Sequence, residues 1–185
     1  MEKIKLSDFL LLSKEDLVGK VICFPTDTVY GIGTLYNDKQ GISKIYKMKN
    51  RPLDKPLANL CSSLDQILDL EIEITSNVRD IIDKYWPGAL TIIFKDKDKK
   101  TSFRMPDSKI ALELIDKFGV LTTTSVNESG EKELNSFIEI NEVFGEKIDY
   151  FISDDAKLSK VASTVIDVSS NEIKVLREGL IKLSV

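Results

Sequence analysis

Three short stretches of this chain carry side chains that do chemistry when they are brought together. FPTDTVYGIG, Phe24 to Gly33, ends an apolar run in a proline, then sets Thr26, Asp27, Thr28 and Tyr30 around two glycines one residue apart. KMKNRPLDKPL, Lys47 to Leu57, places Lys47, Lys49, Arg51 and Lys55 within nine positions, punctuated by Pro52 and Pro56. TTTSVNESG, Thr122 to Gly130, gives four hydroxyls in a row and then Asn127, Ser129 and Gly130. Hydroxyls and amides are neutral donors and acceptors. Arginine offers a planar fork and lysine a point charge, both suited to phosphate and carboxylate.

Each stretch has a functional reading and a plain one. The pair Gly31 and Gly33 starts like a dinucleotide fingerprint, but the third glycine would fall on Tyr36 and no ribose-binding acid is placed. The two glycines then read as a tight backbone turn beneath a ligand. Arg51 precedes a proline, which pushes its backbone toward an extended form. An extended segment would put Lys49 and Arg51 on one side, converging on a polyphosphate; the alternative is a solvated basic helix end. The hydroxyl run either lines a cleft at the carboxyl end of a sheet or makes a polar turn. Arg104 in SFRMP and Arg177 in VLREG sit near apolar strands, Arg177 fourteen residues after Ser163 of STVID. Taken alone, such an arginine is more often part of a surface or core ion pair than a ligand contact.

Composition removes several classes of mechanism. The 185 residues contain no histidine, which excludes Ser-His-Asp and Cys-His catalysis and the commonest metal ligand. Cys23 and Cys61 both lie in apolar runs and read as reduced core thiols. A formal charge of −4 argues against a protein that coats nucleic acid. At 42% hydrophobic the chain supports one good core, and residues 1–185 read as a single domain. No stretch approaches the roughly 18 apolar residues of a membrane span, and MEKIKLSDFLLLSKED is too short and acid-flanked for a signal peptide, so the expected location is cytoplasmic.

The elements that must position these residues follow from periodicity. Helices are expected over 6–17, over 38–48 with Asp38 as N-cap, over 76–85 stopped by Pro87-Gly88, over 109–118 closed by Gly119, and over 141–148. Strands are expected over 20–24, 57–61, 89–94, 120–124, 150–152, 164–168 and 173–176, with KDKDKK (95–100) as a solvated turn or loop. Strands alternating with helices, followed by a β-rich end, predict an α/β domain with a mixed sheet.

In this order the motifs resemble the YrdC-like threonylcarbamoyl-AMP synthase family, over about Gly19 to Ile181. The resemblance rests on FPTDTVYGIG, KNRPLDKPL, WPGALTIIF, FRMP, TSVNESG and STVIDV…VLREG. It implies a twisted mixed sheet with flanking helices around a large positively charged cavity. It implies an enzyme that joins L-threonine, bicarbonate and ATP, helped by Mg²⁺, into threonylcarbamoyl-AMP and pyrophosphate. A separate threonylcarbamoyl transferase would then modify tRNA next to the anticodon. By motif position, Lys49, Arg51, Ser125, Asn127 and Arg177 would meet ATP. Thr28, Arg104, Thr123 and Ser163 would meet threonine, with Arg104 on its carboxylate. Positioning by Lys49 and Arg51 would replace a protein nucleophile or base, and Mg²⁺ would be held through the ATP phosphates. Three positions depart from the family pattern: Leu60 stands where many relatives have histidine, the segment between Phe94 and Arg104 is short, and Val126 replaces a usual alanine. The competing reading is a non-catalytic RNA-binding member of the same fold.

Overall fold

The computed structural model describes residues 1–170 and 172–183. Strand β1 (Glu2–Ile4) leads into a one-turn helix α1 (Leu6–Phe9) and a single 3-10 turn (Glu15–Leu17). The helix expected over 6–17 is thus broken, because Ser13 turns the chain by donating its backbone N–H and hydroxyl to Asp16. Strands β2 (Ile22–Pro25) and β3 (Tyr30–Leu35) form a hairpin around Thr26–Val29, and α2 (Lys39–Met48) follows. As expected, Asp38 caps α2, accepting from the backbone of Gln40 and Gly41. Then come β4 (Ala58–Leu60), a short α3 (Asp65–Leu68) and α4 (Ser76–Tyr85). The hairpin β5 (Leu90–Asp96) and β6 (Lys99–Arg104) precedes α5 (Lys109–Phe118), which Gly119 closes at φ +85°. The chain finishes with β7 (Leu121–Ser125), α6 (Phe137–Phe144), β8 (Tyr150–Ile152), β9 (Thr164–Asp167) and β10 (Lys174–Arg177).

All ten strands join one mixed sheet in the order β1-β8-β2-β3-β7-β4-β6-β5-β9-β10. Its two faces are treated unequally. One face buries Val21, Cys23 and Ile32 under α2 and α6, and Leu90, Ile92, Phe103 and Ile166 under α4 and the α3 turn. On the other face, α5 and α1 cover only the first half, over Ile22, Phe24, Leu35 and Leu121. Among the described residues, no helix covers that side of the half built from β4, β6, β5, β9 and β10. Side chains alternate faces along a strand, so the residues that the register places there are Ala58, Leu60, Ser102, Arg104, Thr91, Ile93 and Val165. A concave, uncovered half-face is where a site belongs.

Several expectations are corrected. Gly31 and Gly33 lie inside β3, paired with β2 and β7, and make no tight turn. Gly33 is needed for close strand contact: a Cβ there would sit 2.7 Å from Thr123 Cγ2 and 3.2 Å from Thr122 O. Gly33→Ala should cost about 1–3 kcal/mol through this overpacking, read as a lowered midpoint in urea denaturation. The 95–100 run is mostly strand, its turn confined to Lys97 and Asp98, because Lys95, Lys99 and Lys100 project into solvent while the backbones pair. Helix α6 begins four residues before the expected start, because Ser136 and Glu139 form a reciprocal cap in which Glu139 N–H donates to Ser136 Oγ and Ser136 Oγ to Glu139.

The segment 49–51 is not extended. Asn50 adopts φ +49°, and the N–H groups of Asn50 and Arg51 bond back to the carbonyls of Lys47 and Tyr46, a left-handed helix stop. Lys49 is the C-cap of α2 and points inward, whereas Arg51 leaves on the outside of the stop. The two cations do not share a side.

Candidate functional site

The uncovered half-face floors a cavity of about 330 Å³. Its wall is completed by Thr26, Thr28, Val29 and Gly31 from the β2–β3 hairpin, and by Thr123 and Ser125 from β7. Arg51 and Pro56 border it from the segment after α2, and Ser163, just before β9, and Arg177 of β10 from the other side. Of the residues expected in a site, Thr28, Arg51, Arg104, Thr123, Ser125, Ser163 and Arg177 share this cavity. Lys49 and Asn127 stand behind its wall.

Arg104 is the deepest of the cavity's cations, 6% exposed. Its Nε donates to Gly88 O at 2.9 Å, Nη1 to Thr28 Oγ1 at 2.7 Å, and Nη2 to Asp27 Oδ1. The receiving loop is itself tied by hydrogen bonds. Thr26 Oγ1 bonds Val29 O at 2.7 Å and contacts Thr28 Oγ1 at 3.0 Å. Ser159 and Lys160 N–H groups close onto the carbonyls of Asp27 and Thr28. Burial draws Arg104 below the ordinary guanidinium range, and Asp27 works against that shift. Two of its five N–H groups remain for a ligand.

On the far wall, Arg177 donates through Nε to Ser163 O at 3.0 Å and through Nη2 to Ser163 Oγ at 3.2 Å. Ser163 Oγ lies 2.8 Å from Thr91 Oγ1. Burial lowers Arg177 as well, with Glu133 opposing. Arg51 is held at the mouth by the carbonyls of Lys55 and Pro56, both at 2.9 Å. Three guanidinium groups, each aimed by backbone or side-chain oxygens, thus face one space with nine hydroxyl-bearing neighbours.

Lys49 is 1% exposed. Its ammonium donates to Ser125 O and Asn127 O, both at 2.6 Å, and to Asn127 Oδ1 at 2.9 Å. Asn127 Oδ1 also accepts from Ser125 Oγ at 2.7 Å, and its amide donates to Glu131 O. Lys49, Ser125 and Asn127 form one network, and Ser125 is its face toward the cavity. Burial first, and the Arg51 charge second, pull Lys49 down from 10.5 to about 7. The three oxygens around Nζ favour the protonated form, since only an ammonium has three N–H groups to give them.

Sequence reasoning missed Asp27 as the partner of Arg104 and Thr91 as the partner of Ser163. Thr91 was readable in principle, because it alternates with Ile93 on the face opposite the buried Leu90 and Ile92. Among the described residues, no cluster of three His, Cys, Asp or Glu side chains is placed to hold a metal ion, and no helix is long and apolar enough to cross a membrane.

With this geometry in hand, comparison with known proteins gives a consistent result. The Sua5/YciO/YrdC family model, described as telomere recombination, matches residues 17–179. A Methanocaldococcus jannaschii protein assigned as a threonylcarbamoyl-AMP synthase is 35% identical over 191 aligned positions, covering 98% of this chain and 89% of that one. A Pyrococcus abyssi threonylcarbamoyl-AMP synthase is 32% identical over 87% of this chain, which spans 51% of its length. The structure of Pyrococcus abyssi Sua5 complexed with L-threonine superposes with a TM-score of 0.85 at 29% identity, covering 96% of this chain and 56% of that one. Escherichia coli YciO shares the fold, with a TM-score of 0.84 over 99% of this chain and 96% of its own at 21% identity.

Proposed function

The chain belongs to the Sua5/YciO/YrdC family, and from that premise we propose that it is a threonylcarbamoyl-AMP synthase. It joins L-threonine, bicarbonate and ATP into threonylcarbamoyl-AMP and pyrophosphate, for threonylcarbamoyl-adenosine modification of tRNA. The observation that carries this reading is the convergence of Arg51, Arg104 and Arg177 with hydroxyl side chains on one cavity, from segments far apart in the chain. The threonine complex of the Sua5 relative supports the amino acid as substrate.

Arg104, with Thr28 beside it, receives the threonine carboxylate, and Ser163 and Thr123 complete the amino-acid end. Arg51 at the mouth and Arg177 on the far wall take the nucleotide phosphates. Ser125, held through Asn127 by Lys49 behind the wall, lines the ground between the two substrates. Mg²⁺ enters with ATP and is held through its phosphates.

The chemistry needs no protein nucleophile. The amine of threonine attacks bicarbonate, a C–N bond forms, water leaves, and a carbamate results. A carbamate oxygen then attacks the α-phosphate of ATP, and pyrophosphate departs. Catalysis comes from holding the reactants in line and from fixed positive charge around the transferring phosphorus.

The test is pyrophosphate release from ATP, Mg²⁺ and bicarbonate with and without L-threonine, with L-serine as control. Release that requires both threonine and bicarbonate is expected, and Arg51→Ala should lower it by about a hundredfold, the cost of losing one aimed charge at a transferring phosphate. Folded protein that binds ATP yet shows no threonine-dependent release would overturn the synthase reading.

A further inference from the structure

Helices α2 and α6 share the sheet face opposite the cavity, over the core that holds Val21, Cys23 and Ile32. Ile45 and Met48 of α2 and Ile140 and Phe144 of α6 point into that core. The outward stripes of the two helices carry opposite charge. On α2, Lys39, Ile42, Tyr46 and Lys47 recur at helical spacing, and with Arg51 and Leu53 from the segment that follows they line a groove of about 730 Å³. On α6 the outward positions are Ile138, Glu139, Glu142 and Val143, with exposed Glu146 just past the helix end. Between the helices lies a hollow of about 400 Å³, bordered by Lys47 and Met48 on one side and Glu146 and Ile148 on the other.

Both stripes hold apolar surface that the chain does not cover. Leu53 is 84% exposed and Ile138 68%. One such residue alone is ordinary, but each here stands in a row with other apolar side chains between charges. Those charges are unused: Lys39, Lys47, Glu142 and Glu146 form no ion pair with any described residue. The opposite sign intrudes once on each stripe, as Asp54 beside Leu53 and as Lys147, which is drawn over the Phe144 ring, 5.6 Å from its centroid. With a net charge of −4 for the chain, the cationic stripe is a local reversal of sign.

We propose that this face is the interface of a homodimer in which α2 of each copy packs against α6 of the other. A two-fold axis running along the hollow, parallel to the face, makes both contacts at once, as a self-complementary interface requires. The basic stripe then meets an acidic stripe twice, and Ile42 and Leu53 meet the isoleucine and valine of the facing α6. An RNA ligand would engage the lysines, but it has no use for Ile42 and Leu53 and would be repelled by the glutamates alongside. A second copy uses both stripes. The cavity opens on the other sheet face and stays accessible; Arg51, which lines both the groove and the cavity mouth, is where interface and site adjoin.

Two helix faces bury on the order of 600 Å² per partner, the small end of specific interfaces, so dissociation in the micromolar range is expected. Sedimentation velocity on the full chain, from about 5 to 200 μM to span that range, should show a monomer–dimer equilibrium. Raising salt from about 50 to about 500 mM should weaken it about tenfold, because exposed charge pairs are screened. Lys47→Glu and Glu142→Lys should each weaken association by at least about tenfold, since like charges then face each other at both contacts. The two changes combined in one chain should restore the dimer, and so should an equimolar mixture of the two single variants, because each contact again joins opposite signs.

A dimer indifferent to both reversals, or a double variant that stays monomeric, would overturn the assignment. So would a wild type that is monomeric at every concentration; if Lys47→Glu then also weakens binding of a tRNA transcript, the face belongs to RNA. Thermal melts check that each variant is folded. Where a reversal disturbs the melt, Lys39→Glu with Glu146→Lys takes the place of the pair and is read in the same way.

Discussion

Replacing Lys49 by methionine should lower threonine-dependent pyrophosphate release by at least about a hundredfold, the scale on which small misplacements of reacting groups act. Methionine keeps the apolar stem and removes the three donors. Ser125 O, Asn127 O and Asn127 Oδ1 would then lie buried without the cation that holds them, at a cost of about 2–4 kcal/mol in chemical denaturation. Ser125 would lose its fixed place at the cavity, because its hydroxyl is oriented by the same Asn127 oxygen that Lys49 holds. Normal turnover in Lys49→Met would refute this assignment.

The same residue makes two pH dependences of opposite sign. Lys49 titrates near 7 in the folded chain against 10.5 as its ordinary value. Between those limits the unfolded chain holds a proton that the folded chain has released, so this group's contribution to stability rises with pH. Nucleotide affinity behaves the other way, since the ammonium charge is lost as pH rises through about 7. Thermal melts and ATP titrations from pH 6 to 9 should therefore diverge, and Lys49→Met should flatten both trends.

The second large effect is at Arg104. Arg104→Ala should raise the threonine requirement far more than the ATP requirement, with kcat/KM for threonine falling about a thousandfold, equivalent to roughly 4 kcal/mol. Removing one member of a buried ion pair strands the other, so the fold itself should lose about 3–5 kcal/mol. Arg104→Lys should not restore turnover. A point charge cannot serve Gly88 O, Thr28 Oγ1 and Asp27 from the three corners that the guanidinium reaches. An unchanged threonine dependence in Arg104→Ala would remove Arg104 from the amino-acid end.

Much of the fold was legible because local signals agreed with tertiary structure. Helices α4 and α5 match their expected spans, each having one apolar stripe and a clear stop. Strand β3 was not legible: YGIGTL has two glycines where a strand normally shows β-branched residues, and its stability comes from pairing on both sides. Strand β6 was hidden by lysines whose charges are solvated while their backbones pair. The direction of Lys49 was hidden by one backbone angle, at Asn50, which separates it from Arg51; asparagine after a helix is the signal that could have revealed it. Membership of the cavity was legible only through family resemblance. Which strands share an uncovered face depends on sheet order, and that order is set by long-range pairing that no local pattern contains. The Asp27–Arg104 pair joins segments 77 positions apart and is a case in point.

Arg177 belongs to the last strand of the sheet, whose four residues are all exposed and which, among the described residues, pairs with β9 alone. Detaching β10 would uncover almost no core, so it is among the least costly local openings of the molecule. Opening would also carry the far wall of the cavity away with it. The site is thus completed by an element that opens at little cost, and a ligand held by Arg177 would spend part of its affinity in keeping that element closed. Order at the sheet's margin and occupancy of the cavity are consequently one linked equilibrium, in which each rises with the other.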